Sequence, residues 1–276
     1  MIRGPVGGIG WGALAAEEGY VDLGLAGKRV VVTGASRGIG LAIVRGFVAE
    51  GATVVAGARR VSPELEKLEG VTAVAVDLAG PDGPARLVAA AGDRIDVLVN
   101  NVGIAPPRPQ GFLEVTDDMW AATWNLNVMS AVRATRAALP VMLAGGGGAI
   151  VNTGSVNARL ADPLVVDYSA AKAALTNFAK SLSKEFGPRG IRVNTVAPGP
   201  VATDLWLGSG GVAETVGAAQ GLDPSDVEAG AKAAMVTGRF TRPGEVADLV
   251  LMLAGGNLGN LTGAEVTIDG GMITTL

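Results

Sequence analysis

The 276 residues are 49% hydrophobic but only 4% aromatic, with 42 glycines and 17% charged side chains, a mixture that suits helices packed closely on a sheet. The net charge of −4 leaves no basic footprint for nucleic acid. The chain has neither Cys nor His, which removes disulfides, thiol nucleophiles, Ser-His-Asp hydrolysis and metal held by Cys or His.

Residues 1–26 have no clear periodicity and read as an N-terminal extension, followed by a single domain over 27–276. The stretch 4–16 has the outline of a signal peptide but is built on glycine rather than leucine, so the cytoplasm is the default location. Apolar runs at 29–33, 52–56, 71–76, 95–99, 149–153, 191–196 and 265–268 read as seven strands. Helical spacing lies between most of them, at 39–50, 84–91, 117–143, 166–186 and 243–254. Strands that alternate with helices and are apolar nearly throughout predict an α/β domain with a parallel sheet covered on both faces. The longest uncharged stretch, 137–158, contains Pro140 and four consecutive glycines, so no membrane span is expected.

Two stretches carry chemistry. Tyr168 and Lys172 stand four apart on the predicted helix 166–186 and so share a face. An ammonium beside a phenol favours the phenolate and lowers a pKa that is ordinarily about 10, which fits Tyr168 for general acid–base work on a carbonyl or alcohol oxygen. Ser155, just beyond the strand 149–153, can bond the same oxygen. Upstream, Gly34, Ser36, Arg37, Gly38, Ile39 and Gly40 lie in the turn TGASRGIG between the first strand and its helix. Glycines there allow close backbone approach to a pyrophosphate at a helix N-terminus, although the spacing is not the usual G-x-G-x-x-G.

With TGASRGIG (33–40), VDL (76–78), NNVG (100–103), Asn127 in NLNVMS, Ser155, YSAAK (168–172), PGPVAT (198–203) and IDGG (268–271), the chain resembles the short-chain dehydrogenase/reductase family over residues 27–276. Val102 departs from the family's usual Ala. The resemblance implies a single Rossmann-type doubly wound domain, a seven-stranded parallel sheet with helices on both faces. It implies Tyr168 as proton donor or acceptor, with Lys172 lowering its pKa and holding the nicotinamide ribose. Ser155 would orient the substrate oxygen, and Asn127 would complete a proton relay through water or simply bond a neighbouring backbone. Asp77 and Leu78 would flank the adenine, Asn101 and Gly103 the adenosine ribose, and Pro198, Gly199, Val201 and Thr203 the nicotinamide. No metal is implied.

The resemblance further implies hydride transfer between a nicotinamide cofactor and a small-molecule carbonyl or secondary alcohol, with NADP(H) favoured over NAD(H). Ala58 stands where NAD-preferring members carry an acidic residue, and Arg37 and Arg59 stand where NADP-preferring members carry basic ones, with Arg60 able to replace Arg59. A 3-oxoacyl-carrier-protein reductase, an NAD-dependent alcohol dehydrogenase and a non-catalytic nucleotide sensor stay open as alternatives. The four-residue Tyr–Lys spacing argues against C=C reduction, and the length after Thr203 against a dehydratase or epimerase. Residues 204–238 fall where the family keeps its substrate loop and read as a lid, with 106–109 as the opposite wall. Small or apolar faces on 117–143 and 166–186 and an apolar C-terminus predict a homo-oligomer, a tetramer or else a dimer.

Overall fold

The computed structural model describes residues 21–275, so most of the predicted extension lies outside the described residues. Seven strands form one sheet: β1 (Arg29–Thr33), β2 (Thr53–Ala58), β3 (Val71–Ala75), β4 (Val97–Asn100), β5 (Gly148–Thr153), β6 (Ile191–Pro198) and β7 (Glu265–Ile268). All neighbours pair in parallel, in the order β3-β2-β1-β4-β5-β6-β7. The helices are α1 (Gly38–Ala49), α2 (Pro63–Glu66), α3 (Gly83–Ala89), α4 (Asp117–Trp124), α5 (Ser130–Ala144), α6 (Val166–Phe186), α7 (Asp204–Leu207), α8 (Val212–Gln220), α9 (Pro224–Ala233) and α10 (Pro243–Ala254).

The valine run of β1 shows why the strands do not alternate. Successive side chains point to opposite faces of a sheet, and here both faces are buried. Val30 and Val32 pack with Phe47 of α1 and Val250 of α10. Val31 packs on the other side with Leu87 of α3, Met142 of α5 and Leu182 of α6. Residues 22–26 also belong to the packed body: Leu25 is buried in the first of these cores, and the Gly256 N–H donates to the Leu23 carbonyl.

Two expectations needed correction. The second strand runs two residues further than the apolar run, because Gly57 and Ala58 pair in register with Val74 and Ala75 of β3. The predicted helix 117–143 is interrupted by a π-helical turn at Asn125–Met129 between α4 and α5. Such a turn inserts a single residue within an otherwise α-helical stretch, a shift too local for a pattern read over several turns to reveal. The stretch 204–238 is helical for much of its length, as α7, α8 and α9. Among the described residues, no helix is long and apolar enough to cross a membrane.

The sheet order sets the position of the site. The chain proceeds outward from β1 to β3, then returns to lay β4 on the other side of β1. In open parallel sheets a crevice forms at that reversal, beyond the carboxyl ends of the strands.

Candidate active site

A cleft of about 580 Å³ opens there, lined by residues that leave β1, β2, β4, β5 and β6 at their carboxyl ends. Its first wall is the glycine turn. Gly34 has φ +70, and a Cβ there would stand 2.8 Å from Val102 Cα. A Cβ on Gly40 would stand 2.0 Å from the Gly34 carbonyl oxygen, so the turn closes only without side chains. Helix α1 then starts with no side-chain cap and no acidic residue in its first turn. Its N-terminal amides and positive dipole end therefore face the cleft free for an anion. This cradle fits the pyrophosphate of a dinucleotide.

Buried polar side chains hold the turn in place. Thr33 Oγ1 accepts from the Asn101 and Val102 N–H groups at 2.9 and 3.1 Å. Asn101 Nδ2 donates to the Thr33 and Gly34 carbonyls, both at 3.1 Å, and its Oδ1 accepts from Thr153 Oγ1 at 3.3 Å. Asn101 thus lines the cleft while its amide is spent inside the chain. Ala58, Arg59, Asp77 and Leu78 line the same end. Asp77 Oδ1 accepts from the Ala79 N–H at 3.0 Å. Arg37 also lines the cleft, and its guanidinium lies 3.6 Å from Asp204 at the start of α7. Arg60 does not line it.

At the far end of the glycine turn, Ser155, Tyr168 and Lys172 meet. Ser155 follows β5 and is buried, and Tyr168 and Lys172 project from the first two turns of α6. Ser155 stands close enough to Tyr168 to favour its phenolate. Ser155 Oγ donates to Asn157 Oδ1 at 3.1 Å and accepts from the Asn157 N–H at 3.2 Å. Lys172 Nζ donates to the Thr153 carbonyl at 2.7 Å and stands 5.5 Å from the Tyr168 ring centroid. Gly103 beside it leaves room for Asn127: a Cβ there would stand 2.6 Å from Asn127 Oδ1 but only in ordinary contact, 3.5 Å, with Lys172 Nζ.

The electrostatics differ from the simple expectation that the ammonium lowers the phenol. Burial pushes the Tyr168 hydroxyl above its ordinary value, opposed only in part by Ser155. Burial also brings Lys172 down from 10.5 to about 8. Each group loses more hydration than its neighbour restores.

Pro198, Gly199, Val201 and Thr203 line the wall leaving β6, where the Gly199 N–H donates to the Ile268 carbonyl. Asn127 departs from the rest. It is buried and off the cleft wall, with Nδ2 donating to the Ile104 and Thr123 carbonyls at 3.0 and 2.9 Å. Its Oδ1 accepts from the Ile104 N–H at 3.3 Å. Its side chain thus bonds the backbone of the π turn and of the 104 segment.

A further cluster escaped the sequence reading. Arg108, from the 106–109 loop, pairs with the buried carboxylate of Asp167, one residue before Tyr168. Thr123 Oγ1 donates to the same carboxylate at 2.7 Å. Burial would raise the Asp167 carboxyl, but the bonds from Arg108 and Thr123 outweigh it and hold the pKa below its usual value. The available signal was an Arg in a proline-rich loop and an Asp on an otherwise small-residue helix face.

Comparison with known proteins bears on this geometry. Residues 28–209 match the family model described as short chain dehydrogenase. A 3-oxoacyl-[acyl-carrier-protein] reductase of Vibrio harveyi is 34% identical over 257 residues, covering 91% of this chain and 99% of the relative. A D-threitol dehydrogenase of Mycolicibacterium smegmatis is 34% identical over 264 residues, covering 91% and 94%. The crystal structure of L-sorbose reductase from Gluconobacter frateurii, complexed with NADPH and L-sorbose, superposes with a TM-score of 0.84 at 35% identity, covering 93% of this chain and all of that one.

Proposed function

This chain belongs to the short-chain dehydrogenase/reductase family, and from that premise we propose that it is a ketone reductase that prefers NADP(H). The observation that carries the reading is the convergence of Ser155, Tyr168 and Lys172 at one end of a cleft whose other wall is an uncapped glycine turn. A nicotinamide held in that cleft supplies or accepts the hydride. Ser155 and Tyr168 hydrogen-bond the carbonyl oxygen, and the Tyr168 hydroxyl, kept protonated by its burial, gives its proton to that oxygen as the alcohol forms. Lys172, anchored on Thr153, fixes the spacing of the pair. The NADP preference is supported by Ala58, which offers a ribose phosphate no repulsion, with Arg59 and Arg37 on the same stretch of wall. It is also supported by the NADPH bound in the sorbose reductase.

Tyr168→Phe tests the reading. It keeps the ring and removes the proton, so kcat for any reducible ketone should fall by roughly 100- to 10,000-fold. Nucleotide affinity, which rests on the glycine turn, should hold. Activity within threefold of the parent, or a chain that binds the nucleotide and turns over no carbonyl at all, refutes it; the latter is the outcome of a sensor.

Assembly through the long helices is part of the same proposal. Leu113 is 92% exposed, and Phe112, Met119 and Trp124 are exposed beside it on α4 and the turn before it. Apolar surface of that extent is characteristic of subunit contacts.

A further inference from the structure

Beyond Ser155 and Tyr168 the cleft continues into a chamber between the 104–109 loop, the turn before α6, the helices α7 to α9, and the segment after β7. The side chains that face it are Pro107, Leu164, Trp206, Val216, Val227 and Met272. They are held in place. Trp206 packs on Phe240 with ring centroids 5.2 Å apart, and Asp269 accepts from the Gly271 and Ile273 N–H groups at 2.9 and 2.8 Å, fixing the turn that carries Met272.

Among the described residues, the polar side chains at this end are Asn157, Asp162 and, at the start of α7, Asp204, and each is engaged within the chain. Asn157 accepts from Ser155 Oγ and donates to the Leu160 carbonyl at 3.3 Å, while Asp162 Oδ1 accepts from the Leu164 N–H at 2.9 Å. Lys172, at the junction, donates to the Thr153 carbonyl, and the other cations near the cleft serve elsewhere. Arg108 is turned onto Asp167, Arg37 faces Asp204 beside the glycine turn, and Arg59 follows β2 at the opposite end of the cleft.

We infer that the substrate is a neutral ketone whose larger substituent is apolar, a branched or extended alkyl group or an aromatic ring. The inference rests on the ketone-reductase reading and names the substrate class of that same site. A polyhydroxylated ketose would strip water from several hydroxyls where the described wall is apolar but for Asn157, Asp162 and Asp204, too few to replace that water. A sugar acid would bring its carboxylate towards Asp162 with no unpaired cation among the described residues of that wall. The assignment therefore separates this chain from two proteins it is similar to, the sorbose reductase and the threitol dehydrogenase. The reaction balances as a two-electron reduction: NADPH gives hydride to the carbonyl carbon, Tyr168 gives a proton to the oxygen, and solvent returns that proton to Tyr168.

The test is kcat/KM with NADPH for 2-butanone, 2-pentanone, 2-hexanone, acetophenone, L-sorbose and 5-ketogluconate. Each methylene buried in an apolar wall is worth about threefold to fourfold, so the alkyl series should climb by roughly that factor per carbon. Acetophenone should exceed 2-butanone, and both L-sorbose and 5-ketogluconate should fall at least tenfold below 2-hexanone. Val227→Asn should flatten the climb. A flat alkyl series, or L-sorbose or 5-ketogluconate as good as 2-hexanone, overturns the assignment while leaving the ketone-reductase reading intact. Reduction of none of the six, with either nicotinamide and with NADPH binding retained, removes the parent reading and this one with it.

Discussion

The Arg108–Asp167 pair offers the sharpest test of how the catalytic helix is held. Arg108 is 13% exposed and the Asp167 side chain not at all, so each charge depends on the other for what water no longer provides. Asp167→Leu strands a guanidinium beside Thr123, and Arg108→Leu leaves a buried carboxylate with the Thr123 hydroxyl as its main remaining partner. Breaking a buried pair by removing one partner costs about 3–5 kcal/mol, whereas replacing both by apolar groups can be nearly neutral. Each single variant should therefore lose about 3 kcal/mol or more, and the Arg108→Leu/Asp167→Leu double variant should recover most of it. Because the pair also ties the 106–109 wall to the turn of α6 that carries Tyr168, ketone kcat/KM should fall in the singles while NADPH affinity changes little. Urea unfolding followed by circular dichroism, with kinetics on the same four proteins, closes the cycle. Single variants within 1 kcal/mol of the parent, or a double variant as unstable as the sum of the singles, would show that the two side chains are not coupled.

Two other outcomes follow from burial and charge. Folding holds Lys172 at about 8, below its free value of 10.5, so above pH 8 the unfolded chain keeps a proton that the folded one has released, and stability rises with pH. Between pH 8 and 9.5, below the raised Tyr168 titration, the rise should be about 2 kcal/mol and should vanish in Lys172→Met; parallel urea curves for the two proteins would refute it. At the other end of the cleft, Ala58→Asp with Arg59→Ile should turn the preference from NADPH towards NADH, since the new carboxylate repels a 2′-phosphate and binds ribose hydroxyls. Equal affinity of the unmodified chain for both nucleotides at low salt would remove the arginines from the argument.

The parts of this molecule that were legible in its sequence are those where local pattern and buried surface agree. Unbroken valine runs in β1 and β2 announced strands covered on both faces, and the 33–40 turn announced a backbone that must approach something closely. Tyr168 and Lys172 could be set on one face by spacing alone, and the structure brings them together with Ser155. What stayed hidden depends on contacts between distant residues. Asn157 looked like any polar loop residue until the turn after β5 folded its amide onto Ser155. Arg108 and Asp167 are 59 positions apart, so nothing local marks them as partners. The sign of the Tyr168 shift was misjudged for a similar reason. Spacing shows which charge is near but not how much water is lost, and here the loss decides.

These elements together give the cleft a direction. One end is cationic, with Arg37 and Arg59 beside an uncapped helix N-terminus; the other is apolar, walled by Leu164, Trp206 and Val216. A phosphate-bearing cofactor gains at the first end and an uncharged substrate at the second, so binding in the wrong sense loses on both counts. The reacting atoms then have to meet between them, where the chain places the three side chains able to bond and protonate an oxygen. At that junction Lys172 is buried and its pKa is depressed by the loss of water. Water excluded from that point strengthens each hydrogen bond to the oxygen on which charge develops. The same exclusion that weakens the lysine as an isolated cation keeps the Tyr168 proton in place until charge develops on the substrate oxygen, so both shifts have one cause, the burial of the pair.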